Sequence, residues 1–252
     1  MIISYSNNFV VIRTPRAAGT SLAFYFFKSG LIDSATDIYK IEGSFASWSE
    51  FDQYISAEGL EFANLPKNLK GLDSVRSVRR TFSDLVAKGA IPAEMPCVAT
   101  IRNPIERMAS GYAYICKDVE VHIEENNGVI KKGTQHLLDN CTPNVNMYWD
   151  YLMEYYFNNG SGPNEFHRQC HYFPDHAEVF NIENLHQHAS KFILDKSGVV
   201  SEPIELRKNP DIFTPDQTET IFTDLTSDRR QAMEDTFSKD FEIWEKAYAV
   251  YN

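Results

Sequence analysis

The chain has 252 residues, of which 43% are hydrophobic and 23% charged, so it is long enough for one sizeable core and lacks the composition of a long disordered tail. The chain contains 24 Lys and Arg residues and 35 Asp and Glu residues, which gives a net charge of −11. This charge argues against general binding to nucleic acids or anionic membranes, which would be repelled at long range. We see no secretory leader and no apolar run approaching about 18 residues, so we expect a soluble, cytoplasmic protein without a membrane anchor.

The first predicted elements are a strand, a loop suited to anions and a helix. A short apolar run over residues 9–13 is followed by small residues and then by a helical pattern over residues 20–29. Such a loop directs backbone N–H groups and the helix N-terminus at a phosphate-like group. Arg16 adds a positive charge, and Thr20 and Ser21 add hydroxyl donors in the first helical turn. The spacing of a Walker A motif or a dinucleotide fingerprint is missing, so the loop by itself predicts an anion site or an ordinary capped turn.

A second strand and helix carry the next informative residues. Residues 97–101 form an apolar strand, and the helix after it is expected to begin at Pro104, because proline is favoured at the first helical position. Arg102 then lies at the strand end and Ser110 about two turns into the helix. These side chains suit one phosphate, with a bidentate guanidinium contact and a single hydroxyl donor. The alternative is a surface ion pair between the arginines of this segment and Glu106.

The remaining elements complete an alternating pattern. Residues 74–88 favour a basic helix, residues 178–182 a third strand, and residues from 215 onward helix. Residues 118–146 are charged and rich in Asn, which predicts an insertion-like excursion in a single domain over residues 1–252. The alternation predicts an α/β, P-loop-like, three-layer fold with a central, mostly parallel sheet flanked by helices. Ligands of such sheets bind beyond the carboxyl ends of the strands, where both loops fall.

The two loops together resemble the two signatures of sulfotransferases that use 3′-phosphoadenosine 5′-phosphosulfate (PAPS), in particular the Golgi-type and bacterial carbohydrate branch. Residues 15–21 read Pro-Arg-Ala-Ala-Gly-Thr-Ser, where the family has Pro-Lys/Arg-x-x-Gly-Thr-Ser. Residues 102–112 read Arg-Asn-Pro-Ile-Glu-Arg-Met-Ala-Ser-Gly-Tyr, where the family has Arg-x-Pro-x-x-Arg-x-x-Ser-x-Tyr. Weaker likeness extends over residues 166–185 and 207–244.

The resemblance implies an enzyme that transfers a sulfuryl group from PAPS to an acceptor hydroxyl and releases adenosine 3′,5′-bisphosphate (PAP). Arg16 would stabilise the leaving phosphate as a charge clamp, because a guanidinium does not give up its proton. Arg102 and Ser110 would hold the 3′-phosphate, and Lys208 and Asn209 would close over the 3′-phosphate or the adenine. The implied cradle for the 5′-phosphosulfate comprises Arg16, Ala17, Ala18, Gly19, Thr20 and Ser21.

The general base is the least defined residue of the implied site. Some family members carry a histidine at the start of the helix between the two motifs, where this chain has Asp73. A carboxylate with a raised pKa serves as a base, so Asp73 is the first candidate, although an aspartate there is also a natural helix N-cap. The other candidates are Glu42, Glu50 and His136.

Two other functions remain open. A P-loop nucleotide kinase is disfavoured, because the Gly-Lys-Ser/Thr ending and a strand-end Asp for Mg²⁺ are missing. A protein that binds PAP or PAPS without catalysis is compatible with the missing histidine. The acceptor is expected to be a carbohydrate, a lipid or a small metabolite, selected by residues 31–70 and 118–146, which do not resemble the family.

Cysteine and histidine placement predicts neither a disulfide framework nor a metal site. The chain contains no CxxC pair, so its four cysteines are expected to be reduced thiols. A cluster of thiol and imidazole side chains lacks zinc-site spacing, and no metal is expected there. Its members are His167, Cys170, His171 and His176.

Overall fold

The computed structural model describes residues 2–4, 7–12, 14–32, 38–39, 82–87, 91–154, 168–201 and 224–251. The strands in those ranges are β1 (Ile2–Ser4), β2 (Phe9–Ile12), β3 (Ile38–Tyr39), β4 (Cys97–Ile101) and β5 (Glu178–Asn181). The helices there are α1 (Gly19–Lys28), α2 (Phe82–Ala87), α3 (Pro104–Glu125), α4 (Lys132–Asn140), α5 (Val145–Leu152), α6 (Leu185–Ser197), α7 (Ser227–Thr236) and α8 (Ser238–Tyr248). None of these helices is long and apolar enough to cross a bilayer.

The strands form one mixed sheet in the order β3-β1-β2-β4-β5. β2, β4 and β5 run parallel, whereas β1 pairs antiparallel with β2 on one side and with β3 on the other. The α/β class is confirmed, and the sheet is mixed: β1 alone runs opposite to the other four strands, so both of its pairings are antiparallel. The difference arises at a hairpin in which Ser4 pairs with Phe9 and Asn8 takes a left-handed φ of 54°. The sequence did not predict β1, because the polar residues of this hairpin break the apolar pattern that indicates a strand.

Helices cover both faces of this sheet. Successive residues of β2 point to opposite faces, so Phe9 and Val11 pack against α1 and α6. Val10 and Ile12 lie in a second cluster with α2 and the carboxyl-terminal part of α8. Burial on both faces explains why β2 and β4 are continuous apolar runs instead of alternating ones. The three strands predicted from such runs are confirmed as β2, β4 and β5, and the first predicted helix is confirmed as α1.

The chain divides into two compact units. The first comprises Met1–Ile101, Gln169–Arg207 and Ile243–Asn252 and contains the sheet with the helices that cover it. The second comprises Arg102–Arg168 and Lys208–Glu242 and contains α3, α4, α5 and α7. A separate apolar core, which includes buried Met, Trp and Phe side chains from these helices, holds the second unit together.

Residues 118–146, expected as an insertion-like excursion, are largely helical. α3 continues to Glu125, α4 covers Lys132–Asn140, and α5 begins at Val145. The polar sequence of α4 concealed this, because the helix buries none of its residues fully and so needs no strong apolar stripe. That the segment is an insertion in a single domain stays a prediction.

Candidate functional site

The loop that joins β2 to α1 begins with a tight turn. The carbonyl of Thr14 accepts a hydrogen bond from the N–H of Ala17 at 3.2 Å. Pro15 is the second residue of this turn, and Arg16 is the third, with φ of 62°. Proline followed by a positive φ is the pattern of a type II turn, in which the third position is normally Gly or Asn. Arg16 therefore holds a left-handed conformation that costs about 1–2 kcal/mol for a residue with a Cβ.

A second left-handed residue follows two positions later. Ala18 has φ of 53°, whereas Ala17 between them does not have a positive φ. An alternation of left- and right-handed residues turns successive N–H groups toward one point and forms an anion-binding concavity. In known proteins, residues with strained backbone conformations cluster at active sites and ligand sites. This loop has two such residues, neither of them glycine, within three positions. The loop predicted to bind an anion therefore has a backbone geometry suited to one.

The first turn of α1 has backbone donors next to this concavity. The first i→i−4 hydrogen bond of the helix runs from the N–H of Leu22 to the carbonyl of Ala18 at 3.1 Å. The N–H groups of Gly19, Thr20 and Ser21 precede that bond, and the methyl side chain of Ala18 has no oxygen with which to cap them. The positive end of the helix dipole thus adds to the backbone donors of the loop.

Three buried polar atoms mark the carboxyl ends of the parallel strands. Among the described side chains, Thr14 Oγ1, Thr100 Oγ1 and Asn181 Nδ2 are buried and make no hydrogen bond. They lie just beyond β2, on β4 and at the last residue of β5, respectively. Leaving such a group without a partner costs about 1–3 kcal/mol, so these atoms fit an edge that meets a polar ligand or water.

The second predicted anion-binding segment follows β4 directly. Arg102 is the first residue after the strand, and its Nε lies 3.3 Å from Oε2 of Glu106. The two side chains are 25% and 42% exposed. The ion pair that we considered as an alternative is thus present for Arg102. Arg107, by contrast, is buried and is not a surface residue.

The N-terminus of α3 is capped by the side chain of Asn103. Oδ1 of Asn103 accepts hydrogen bonds from the N–H groups of Ile105 at 2.9 Å and Glu106 at 3.4 Å. Pro104 occupies the first helical position, as predicted. Because these donors are already used, the Arg102 guanidinium is the group of this segment most suited to an added anion.

Two further motif residues lie on α3. Ser110 is half-buried in the second turn of the helix. The hydroxyl of Tyr112 donates a hydrogen bond of 3.0 Å to the carbonyl of Thr142 and so ties α3 to the connection between α4 and α5. Tyr112 therefore has a structural role within the second unit.

Several predicted site residues fall outside the described ranges. They are Asp73, Lys208 and Asn209, together with the alternative bases Glu42 and Glu50. The remaining alternative, His136, is an exposed residue of α4 whose Nδ1 lies 3.2 Å from Nδ2 of Asn140. The assignment of the general base stays a prediction.

Histidine and cysteine side chains in the described ranges take structural positions. Nε2 of His176 lies 3.2 Å from the carbonyl oxygen of Met95, and its ring packs edge-on against Phe82. Among the described residues, which do not include His167, no group of three metal-ligating side chains occurs. All four cysteines are free thiols.

Sequence reasoning missed the features that depend on backbone conformation. An alanine carries no signal for a positive φ, so Ala18 was assigned only as part of the cradle. The sequence indicates Glu106 only as an alternative ion-pair partner of Arg102, and the structure shows that contact. Asn181 had a detectable signal, because an Asn at the end of an apolar strand is unusual unless its amide has a role.

Comparison of the chain with protein-family models, with curated proteins and with solved structures found no match. The resemblance to PAPS-dependent sulfotransferases therefore rests on the residues of the two motifs.

Proposed function

We propose that the protein is a PAPS-dependent sulfotransferase with a P-loop-like fold, which transfers a sulfuryl group to a hydroxyl of a carbohydrate, a lipid or a small metabolite. The observation that carries the proposal is the pair of left-handed residues, Arg16 and Ala18, between a fully buried parallel strand and the first turn of α1. This geometry suits a doubly charged group, and the residues at those positions match the phosphosulfate motif.

The residues of the loop have a defined part in sulfuryl transfer. The acceptor hydroxyl must lose a proton, and negative charge develops on the leaving phosphate oxygen as the sulfuryl group moves in line. The N–H groups from Ala17 to Ser21 and the guanidinium of Arg16 would stabilise that charge by fixed dipoles and a fixed positive charge. Arg16 would not act as an acid, because it keeps its proton at all relevant pH values.

The segment after β4 is assigned to the 3′-phosphate. Arg102 supplies a cation with planar donors, and Ser110 supplies a hydroxyl, which together distinguish a 3′-phosphorylated nucleotide from ATP or AMP. Lys208 and Asn209 are assigned to the same end of the nucleotide by resemblance. Asp73 is the proposed base, because it replaces the histidine that some family members use.

A thermal-shift experiment tests the nucleotide specificity. PAP and PAPS should raise the melting temperature, and Arg16→Ala should remove most of that shift while Arg16→Lys retains part of it. Lys196→Ala, which removes an exposed cation on α6, is the matched control and should respond as the wild type does. Stabilisation by ATP with Mg²⁺ but not by PAP would contradict the proposal and favour a kinase.

Turnover separates the enzyme from a binding protein. Sulfur-labelled PAPS is incubated with a panel of glycans, lipids and small alcohols, and label transfer to one class is the expected result. Asp73→Asn should lose transfer while it still binds PAP, because only proton removal is affected. Tight PAP binding without transfer to any class would favour the non-catalytic alternative.

A further inference from the structure

We propose that Glu106 is an internal competitor for the anion that Arg102 binds, so that a phosphate group must displace the Glu106 carboxylate to reach the guanidinium. The inference deepens the proposed function, on which the identity of the nucleotide rests. It starts from the 3.3 Å contact between Arg102 Nε and Glu106 Oε2, four residues apart. The guanidinium thus already has a carboxylate partner in the absence of any ligand.

The backbone on both sides of this ion pair is fixed. Before Arg102, the carbonyl of Ile101 accepts a hydrogen bond of 3.1 Å from the N–H of Ile182. After it, the Asn103 side chain caps the N–H of Glu106 itself. Glu106 also lies in the first turn of α3, where the helix dipole favours a negative charge. The local fold therefore fixes the backbone positions from which the carboxylate and the guanidinium meet.

The strength of the pair suits displacement. Both side chains are partly exposed, and exposed ion pairs contribute only about 0–1 kcal/mol. A phosphate monoester carries nearly two negative charges at pH 7 and accepts a bidentate contact, so it outcompetes a single carboxylate. The tethered carboxylate in turn repels the bound phosphate, which lowers affinity and speeds the departure of a product that retains this phosphate.

The two anion-binding segments therefore differ in their resting state. The loop at Arg16 has two left-handed residues, whereas the segment at Arg102 caps its helix N-terminus with Asn103 and pairs its cation with Glu106. The segment at Arg102 therefore suits a site that engages and releases its ligand readily.

Isothermal titration with PAP and AMP tests the inference. Glu106→Gln should bind PAP about two- to tenfold more tightly than the wild type. The substitution removes both the ion pair with Arg102 and the repulsion between the carboxylate and the phosphate, and their free energies together correspond to a change of this size. The affinity for AMP, which lacks the 3′-phosphate, should not change. Glu124→Gln, an exposed carboxylate in the last turn of the same helix, is the control and should leave both affinities unchanged. Unchanged or weaker PAP binding by Glu106→Gln would overturn the inference.

A second measurement does not depend on the nucleotide. Inorganic phosphate is titrated while the Nε–H resonance of Arg102, assigned with Arg102→Lys, is followed by NMR. The resonance should respond at about two- to tenfold lower phosphate concentration in Glu106→Gln than in the wild type. If PAP fails to bind but this difference is seen, the proposed function is wrong and the inference stands. If phosphate leaves the resonance unmoved in both proteins, or moves it equally, the inference fails.

Discussion

Arg16 and Ala18 both have left-handed backbone conformations, with φ of 62° and 53°, and a single residue separates them. Glycine takes this conformation without strain, whereas in these two residues the Cβ comes too close to the backbone and raises the free energy of the folded state. Two strained residues in one short loop persist only where the surrounding structure holds the loop in that conformation. Here that surrounding is the buried strand β2 and the apolar cluster against which Ala18 packs.

Replacement of Ala18 by glycine should stabilise the protein. Ala18→Gly relieves the left-handed strain, and about 0.5–1 kcal/mol should remain after the greater entropy of glycine in the unfolded chain is subtracted. Ala17→Gly is the matched control: Ala17 is 1% exposed and lacks a positive φ, so the same change should destabilise by a similar amount. Urea unfolding measures both, and an equal effect of the two substitutions would show that the strain is absent.

The cap of α3 should contribute measurably to stability. Asn103→Ala removes the acceptor for two N–H groups and should lower the free energy of unfolding by about 0.5–2 kcal/mol. Asn103→Asp keeps an acceptor and should retain most of the stability. Both are read by chemical denaturation, and full stability of the alanine variant would mean that water replaces the cap.

Stability should fall in mildly acidic solution because of His188. Burial lowers the pKa of His188 below its ordinary value of 6.5, against the opposing hydrogen bond to the carbonyl of Ala247 and with a smaller contribution from Lys191. Below pH 6.5 the unfolded chain takes up a proton that the folded chain does not, so stability is complete above that pH and is lost as the pH falls toward the folded pKa.

The measurement is the melting temperature between pH 5 and pH 8. His188→Gln should reduce the acid-dependent loss relative to the wild type, whereas His122→Gln, at an exposed position of α3, should leave the profile unchanged. A profile that is the same in all three proteins would exclude His188 as the cause.

Thiol reactivity should separate the four cysteines into two classes. Burial raises the pKa values of Cys97 and Cys141 to about 12, so both thiols stay protonated and enclosed at pH 8. Cys116 and Cys170 are half-buried, and the pKa of Cys116 is also raised by desolvation. Titration with a thiol reagent should therefore modify Cys170 first and reach Cys97 and Cys141 only on unfolding. Rapid modification of Cys141 in the native protein would contradict this packing.

The local elements were predictable where one physical signal dominated. β4 is an apolar run that only Thr100 interrupts, with Pro96 before it, and α3 begins at a proline whose φ suits a first helical position, so both elements are predictable from the sequence. β1 was missed, because a strand of three residues has too little apolar pattern and exists through its pairing with β2 and β3. α4 was missed for a similar reason: most of its residues are polar, so its apolar pattern is too weak to predict a helix.

The sequence by itself determined the α/β class, the strand–loop–helix order at both motifs and the residue types that suit phosphate groups, because these follow from hydrophobic periodicity, proline geometry and charge. Only the tertiary structure decided that Arg16 and Ala18 are left-handed, that Arg107 is buried and that Arg102 contacts Glu106. The sign of φ, the burial of a side chain and the choice of its ion-pair partner depend on what the rest of the chain packs around that residue. The residue types near a position in the sequence do not decide between such alternatives.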